Sequence, residues 1–527
     1  MVWQLLIATY MLLVNMEFPY IKVKNNTLPA FLLLLLICAL VIDGCKKKTS
    51  DVANILFKKS QNKVFQDFDP DDFAAVFKQV IIDQKARLTY PKELAAYYDK
   101  NGYEPTFLEN NLPGDNFRVI TEYYDKSGEH GLSSRMFQSK QIKALVARLN
   151  SGTGIKTANQ AYHDVAVLEL LTANSLVNYS NDLQYGVINP KKIFSRYFLA
   201  TKRPDSIAIN HVLAITDVKT YLDTIQPKDP QYIALQKAFL NDTQVPGLSP
   251  EESRRLLWIN LERLRWKNKP SGNKYVIVNI PDFKLDVIDN GHSVLNMKVC
   301  VGQGRNMDYK KTLVRFDDTD RIDKPNPHET PLLNSLINSV QVNPVWNIPE
   351  SIANKEILVE AAKDPDYLSN KNIDVYKNGK QVDDPDSIDW SSVKNSEYSF
   401  KQEPGDDNSL GKIKFLFDNH SNVYLHDTPA KLPFYKTMRA VSHGCVRLGD
   451  PEALALNLFG QGWQYKMIDK DMHTDKPDPT YIDLPKKTPV YITYVTCWAD
   501  STGVLQYRPD VYGLDIVLYS HLSKVVN

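Results

Sequence analysis

The chain carries almost no net charge and very little cysteine. Lysine and arginine number 63 and aspartate and glutamate 62, a formal charge of +1 over 527 residues. Without a basic surplus there is no electrostatic case for a nucleic-acid partner. No C-x-x-C or H-E-x-x-H spacing occurs, so no ready zinc motif is present. No phosphate-binding loop and no dinucleotide fingerprint occur, and no cofactor is expected. The five cysteines are Cys38, Cys45, Cys300, Cys445 and Cys497. Loss of Cys38 with a leader and modification of Cys45 would leave three, an odd number, so at least one thiol stays unpaired within the chain. Cys300 and Cys497 either pair with each other or are two buried, inert thiols.

What is present is an ordinary globular composition, 43% hydrophobic and 24% charged. The length calls for more than one domain. The N-terminus is different. Residues 28–42 are almost wholly apolar and follow Lys22 and Lys24. Such a run is short of the roughly 20 residues a spanning helix needs, but suits a signal-peptide core. It ends in Ile42-Asp43-Gly44-Cys45, which resembles a bacterial lipobox with Cys45 as the lipidated residue. An uncleaved anchor is the alternative. Either reading ties the chain to a membrane and puts its bulk outside the cytoplasm, as a periplasmic lipoprotein. Residues 1–14 are a second apolar stretch that a signal does not need, so translation could begin at Met16.

Residues 46–64 read as a polar tether and 65–248 as a mainly helical scaffold. Val165, Leu168, Leu176, Tyr179 and Leu183 share one helical stripe, and Gly186 can end that helix. Ser249-Pro250-Glu251-Glu252 is a capping signature that opens a linking helix over 249–270. Lys269-Pro270-Ser271-Gly272 breaks it. A mainly antiparallel, sandwich-like β domain is expected over 271–515, with a tail at 516–527, so the chain as a whole is α+β. Asn290-Gly291 between two β-rich runs is a hairpin signal. Further strands are expected over 339–346, 412–417 and 489–498, and a helix from Asp450 to about residue 459. Residues 350–411 interrupt the pattern and read as an insertion beside the site, a mobile lid.

Ser442-His443-Gly444-Cys445-Val446-Arg447 carries the chemistry. A thiol beside an imidazole that accepts its proton becomes a nucleophile. Two histidines compete as base. His443 shares the nucleophile's turn. His426 ends a short strand from which it could face Cys445, and is favoured, with a backbone carbonyl near Asp427 orienting it. The N–H groups of His443, Gly444 and Cys445 can form an oxyanion hole. Ser442 can orient His443, and Arg447 can hold a carboxylate or fix the loop. A zinc site built from His426, His443 and Cys445 is the competing chemistry, and it lacks an evident fourth ligand.

The segment from His426 through Arg447 resembles the signature of the L,D-transpeptidase (YkuD-type) catalytic domain. Asn343-Pro344-Val345-Trp346-Asn347-Ile348-Pro349, Leu410-Gly411-Lys412-Ile413-Lys414-Phe415 and Tyr424-Leu425-His426-Asp427-Thr428-Pro429 resemble the large subfamily with a capping insertion. Asp182-Leu183-Gln184-Tyr185-Gly186 resembles its helical scaffold. The resemblance implies a cysteine acylated by a peptidoglycan tetrapeptide stem, release of D-alanine, and resolution by a second stem to give a 3→3 cross-link. It implies Cys445 as nucleophile, His426 as base, His443 and Gly444 at the oxyanion site, and Tyr424, Trp346, Ser442, Arg447 and Asp427 along the substrate groove. Acylation by carbapenems, a part in cell shape, and contact with other cell-wall synthesis proteins follow from the same resemblance. Hydrolysis of the acyl-enzyme, or its transfer to a protein amine, would use the same site. A wall-binding scaffold without activity is the reading from a different class. No small peptidoglycan-binding module is recognisable before Ser249, and the stretch 305–331 is longer than the family pattern.

Overall fold

The structure, a computed structural model, describes residues 50–304, 322–393, 397–474, 478–500 and 502–526. The leader, Cys38, Cys45 and most of the long 305–331 stretch lie outside these residues.

The N-terminal unit is helical. Its axis is the helix Ala158–Tyr185, capped by the Thr157 side chain and ended by Gly186 at φ 78°. A Cβ at Gly186 would stand 2.6 Å from Glu262 Oε1, so the chain can leave the helix there only as glycine. Around this helix packs a core of large apolar side chains including Phe73, Phe77, Tyr98, Ile120 and Tyr179. The expected polar tether is a helix from residue 51 onward. Asp51–Ser60 buries Val52, Ala53 and Leu56 in this same core. Three apolar residues on one face outweigh the polar composition of the segment.

The linking helix, Pro250–Arg265, starts with the full reciprocal capping box between Ser249 and Glu252. It stands between the two units. Its Leu256, Leu257 and Leu261 pack into the core under the sheet. Its buried Arg265 pairs with Glu262 at 2.7 Å and donates to the His130 carbonyl of the helical unit.

The sheet has ten strands in a mixed order. Chain order gives β1 Tyr197–Phe198, β2 Lys274–Asn279, β3 Lys284–Asp289, β4 His292–Gly302, β5 Leu332–Val342, β10 Ile413–Phe417, β11 Leu425–His426, β12 Ala440–Ser442, β13 Val446–Leu448 and β14 Thr480–Thr493. A second, four-stranded sheet sits in the insertion: β6 Trp346–Asn347, β7 Ile373–Lys377, β8 Lys380–Gln381 and β9 Ser399–Gln402. The turn between β3 and β4 has Asn290 at φ 48° and Gly291 at φ 83°, as the hairpin signal requires. Six of the ten-stranded sheet's pairings are antiparallel, while β1–β5, β11–β13, β12–β4 and β14–β2 are parallel. Alternation divides its two faces. Val299, Val301, Val340, Val342, Ile413, Phe415, Leu425, Val446 and Leu448 point into the core. The intervening residues point the other way and form the face described below.

The insertion has its own small core of Ile352, Leu368, Val375, Trp390 and Phe400. Its helical segment contains a π-turn, Ala353–Ile357. The expected C-terminal tail is the helix Leu514–Val526. Its Val517, Leu518 and Leu522 are buried in the main core, because they recur at helical spacing against the linking helix.

Candidate active site

Register places the functional side chains. On β10, β11, β13 and β4 the directly opposed residues run Lys414, His426, Arg447 and Cys300. Opposed residues share a face. Tyr424, two before His426, and Cys445, two before Arg447, therefore stand on the same face. Cys445 is half-buried, and the Tyr424 backbone and hydroxyl act on its sulfur. The Tyr424 and His426 rings lie 5.6 Å apart.

His426 is 4% exposed. Its Nδ1 lies 2.5 Å from the Asp427 carbonyl oxygen, to which it donates. The carbonyl expected near Asp427 is thus the one that orients the ring, and it leaves Nε2 as the basic nitrogen. Burial first, then the Arg447 charge, hold this imidazole down at about 3, so it is neutral at pH 7. Burial pushes the Cys445 thiol up, against the opposing pull of Tyr424, Arg447 and Lys414. The resting site presents a neutral thiol and a neutral base on one face of the sheet.

Asp427 is committed to holding its neighbours. Its carboxylate accepts from the Lys412 N–H at 2.9 Å and pairs with Lys431 at 2.7 Å. Gly411, at φ 61°, lets that carboxylate close in, since a Cβ there would lie 2.3 Å from Asp427 Oδ2. Ser442 braces the nucleophile's own turn rather than His443. Its Oγ donates to the Cys445 carbonyl at 2.5 Å and accepts from the Gly444 N–H at 3.2 Å. That contact removes the Gly444 N–H from the expected oxyanion set and leaves those of His443 and Cys445. Gly444 sits at φ 122°, a conformation other residues rarely adopt.

His443 points elsewhere. Its Nε2 lies 2.6 Å from Glu356 Oε1, on the π-turn of the insertion, and its ring is 4.6 Å from that of His328. Arg447 is half-buried, and its buried Nε has no partner among the described residues. Trp346 lies in the second sheet, half-buried against the insertion's core, and not on the Cys445 face.

Several residues emerge only from the structure. Thr330 Oγ1 donates to the Gly444 carbonyl and accepts from the Gly302 N–H, both at 2.8 Å. Tyr512 donates to the Gly302 carbonyl at 2.8 Å and accepts from the Thr330 N–H at 3.2 Å. Lys414 places its ammonium 5.5 Å from the Tyr424 ring centroid, where its charge reaches Cys445. Lys414 and Tyr424 border a groove of about 890 Å3 that runs along β5. No motif flags Thr330 or Tyr512; Lys414 was legible only within the Leu410–Phe415 segment.

All three described cysteines are free. Burial raises Cys300 to about 11 and Cys497 to about 12, which makes both inert. Among the described residues no three His, Cys, Asp or Glu side chains converge to hold a metal ion.

Residues 273–492 match the family model of the L,D-transpeptidase catalytic domain, and residues 92–239 match that of the Scaffold domain. A Haemophilus influenzae protein described as "Putative L,D-transpeptidase" is 26% identical over 432 residues, covering 81% of this chain and 79% of that protein. Two solved structures overlap weakly. An L,D-transpeptidase from Mycobacterium smegmatis has 12% identity and a TM-score of 0.20, with 42% of this chain and 58% of that one covered. The Ldtfm-avibactam carbamoyl enzyme has 10% identity and a TM-score of 0.19, with 43% and 52% covered. This chain thus spans little more than half of either structure, and overlaps that low bear on neither fold nor function. The two matched domains and the long alignment to the Haemophilus protein place the chain in the L,D-transpeptidase family, as an enzyme with a scaffold domain ahead of a YkuD-type catalytic domain.

Proposed function

We propose that the enzyme forms 3→3 cross-links between peptidoglycan stems through an acyl-enzyme on Cys445. The observation that carries this reading is the shared face of Cys445 and His426, with Nδ1 of the histidine fixed by the Asp427 carbonyl. The Cys445 thiol gives its proton to His426 Nε2 as sulfur attacks the carbonyl of the third stem residue. The N–H groups of His443 and Cys445 receive the oxyanion. The bond to D-alanine breaks, and its nitrogen takes the proton from His426. The amine of a second stem then attacks the thioester, gives a proton to His426, and the sulfur leaves and recovers that proton.

Two cations support an anionic substrate. Lys414 and Arg447 flank the nucleophile on the same face, and neither is in a salt bridge with a carboxylate among the described residues. Each can meet a stem carboxylate, either that of the leaving D-alanine or one on the diamino acid. The insertion, touching the site through Glu356, would cap the bound stem. The chain would act outside the cytoplasm, held to a membrane by lipid on Cys45, and carbapenems would acylate Cys445.

The test is incubation of the full chain in detergent with a purified disaccharide-tetrapeptide, read by mass spectrometry. A dimer lighter than two monomers by one D-alanine, and absent with Cys445→Ala, is the expected product. A tripeptide monomer in the presence of excess acceptor would replace transpeptidation by hydrolysis, and no change at all would overturn the reaction.

A further inference from the structure

A second concave site lies where the helical unit meets the sheet. It is a cleft of about 930 Å3, as large as sites that take whole small ligands. Lys191, Lys202, Lys228, Lys267 and Lys269 line it. One carboxylate, Asp229, shares the lining and is already paired with Lys269. The buried guanidinium at its base, Arg265, is neutralised by Glu262. The cleft therefore carries a surplus of positive charge in a chain that is otherwise balanced.

Two of these cations are set side by side by the backbone. Lys202 and Lys267 form an antiparallel bridge, with the Lys202 N–H donating to the Lys267 carbonyl at 3.1 Å. Neither lysine has an ion-pair partner among the described residues. Partial burial, then the Lys269 charge, push the Lys267 ammonium below its ordinary value. Five ammonium groups around one already paired carboxylate, in a concave site, mark a place for anions. Gln184 and Asn268 add amide groups suited to sugar hydroxyls or peptide bonds.

Position completes the case. Asn334 of β5 lines this cleft and also the groove that ends at Tyr424 and Lys414. The two concavities share that residue, which gives a polymer in the first a path along β5 to Lys414 and Tyr424.

We propose that this cleft anchors peptidoglycan strands by the free carboxylates of their stem peptides. The inference rests on the reaction proposed above for its choice of ligand, but not for its test. Binding of the full chain in detergent to insoluble sacculi is measured by co-sedimentation in a Cys445→Ala background, which removes turnover. Lys202→Glu with Lys267→Glu should weaken binding about tenfold at low salt. Lys202→Gln with Lys267→Gln should weaken it less while melting like the parent. With Cys445 intact, both pairs should turn over a soluble disaccharide-tetrapeptide at the parent rate. Sacculi stripped of stems by an amidase should bind the parent and the charge-reversed chain alike, and weakly. Unchanged affinity in both pairs overturns the proposal. So does equal binding of stripped and intact sacculi, and so does displacement by polyphosphate at matched charge with no preference for stems, which would make the cleft a phosphate site. Lysine-dependent binding without any cross-linked product would retire the reaction and keep the anchor.

Discussion

Thr330→Val tests whether the nucleophile's turn is held from outside. Valine keeps the shape and removes one hydroxyl, so no cavity is opened. That hydroxyl serves two buried backbone groups, the Gly444 carbonyl and the Gly302 N–H, each at 2.8 Å. Thr330 is 2% exposed, so water cannot take over either contact. A buried group left unpaired costs about 1–3 kcal/mol, and two give a local loss of about 2–4 kcal/mol after relaxation. At the lower end, opening of this region becomes about 30-fold easier. Hydrogen exchange read by mass spectrometry should therefore speed up in peptides covering Gly302 and residues 442–446, and not in the Ala158–Tyr185 helix. Acylation of Cys445 by a carbapenem should slow by about tenfold or more, because the Cys445 N–H is carried on the displaced turn. Thr330→Ser should restore both readouts. Unchanged exchange at Gly302 together with unchanged acylation in the valine variant would refute the account of this turn.

Other consequences are direct. Cys445→Ala should abolish both cross-linking and the carbapenem adduct; an adduct surviving on that variant would remove Cys445 from its role. His426→Ala should slow acylation by about a hundredfold or more, and further than His443→Ala, whose ring is committed to Glu356; single-turnover mass spectrometry in the reverse order would exchange the two roles. Lys414→Met should lower donor acylation by about tenfold and Lys414→Arg should recover most of it, whereas a methionine variant acylating at the parent rate would show that no substrate carboxylate meets that ammonium. His426 and His130, held down at about 3 and about 4 by burial, should cost stability as pH drops from about 6.5 toward 4, because the unfolded chain takes up protons near the ordinary histidine value. The buried carboxyls of Glu169, Asp182 and Asp510, held above their ordinary values, work in the opposite direction. Thermal midpoints at pH 7.5 and pH 5 for the parent and His130→Phe check the histidine part: the variant should lose less, or gain more, on acidification than the parent, and an identical change in both would contradict it.

Some of this was legible in the sequence because local rules and tertiary packing agree there. The helix ending at Gly186, the capping box at Ser249 and the turn at Asn290-Gly291 each follow from spacing over a few residues. The Cys445 segment was legible because its chemistry is concentrated in six consecutive positions. β5 was foreseen only in its last four residues, from Ser339 on. Asn334, Ser335, Asn338 and Ser339 break its apolar pattern, yet the strand is held on both sides by β10 and β14. The helix Asp51–Ser60 hid behind the polar run around it, since three buried apolar residues decide its fate, whereas the C-terminal helix is mostly apolar and its place depends on packing against the distant linking helix. Thr330 reaches the Cys445 turn from far before it, and Tyr512 reaches Gly302 and Thr330 from far after it, and no sequence period encodes such contacts.

The position of the insertion over the site follows from how its root is built. The chain leaves the main sheet after β5 and returns at β10, and Asn408 binds the two connections together. Its Nδ2 donates to the carbonyls of Pro344, Gln402 and Glu403, and its Oδ1 accepts from the Leu410 N–H. With Asn408 only 1% exposed, these bonds compete with no water. The insertion also has a core separate from that of the sheet, so it holds its shape without leaning on the catalytic face. A rigid unit fixed at one narrow root can approach the site along few directions. Glu356 is its point of contact, carried on a π-turn, where an extra residue in the helix re-aims the side chains around it. The pairing of Glu356 with His443 therefore sets how far the insertion descends on the nucleophile's turn, and it does so on the histidine that the His426 geometry leaves free of base chemistry.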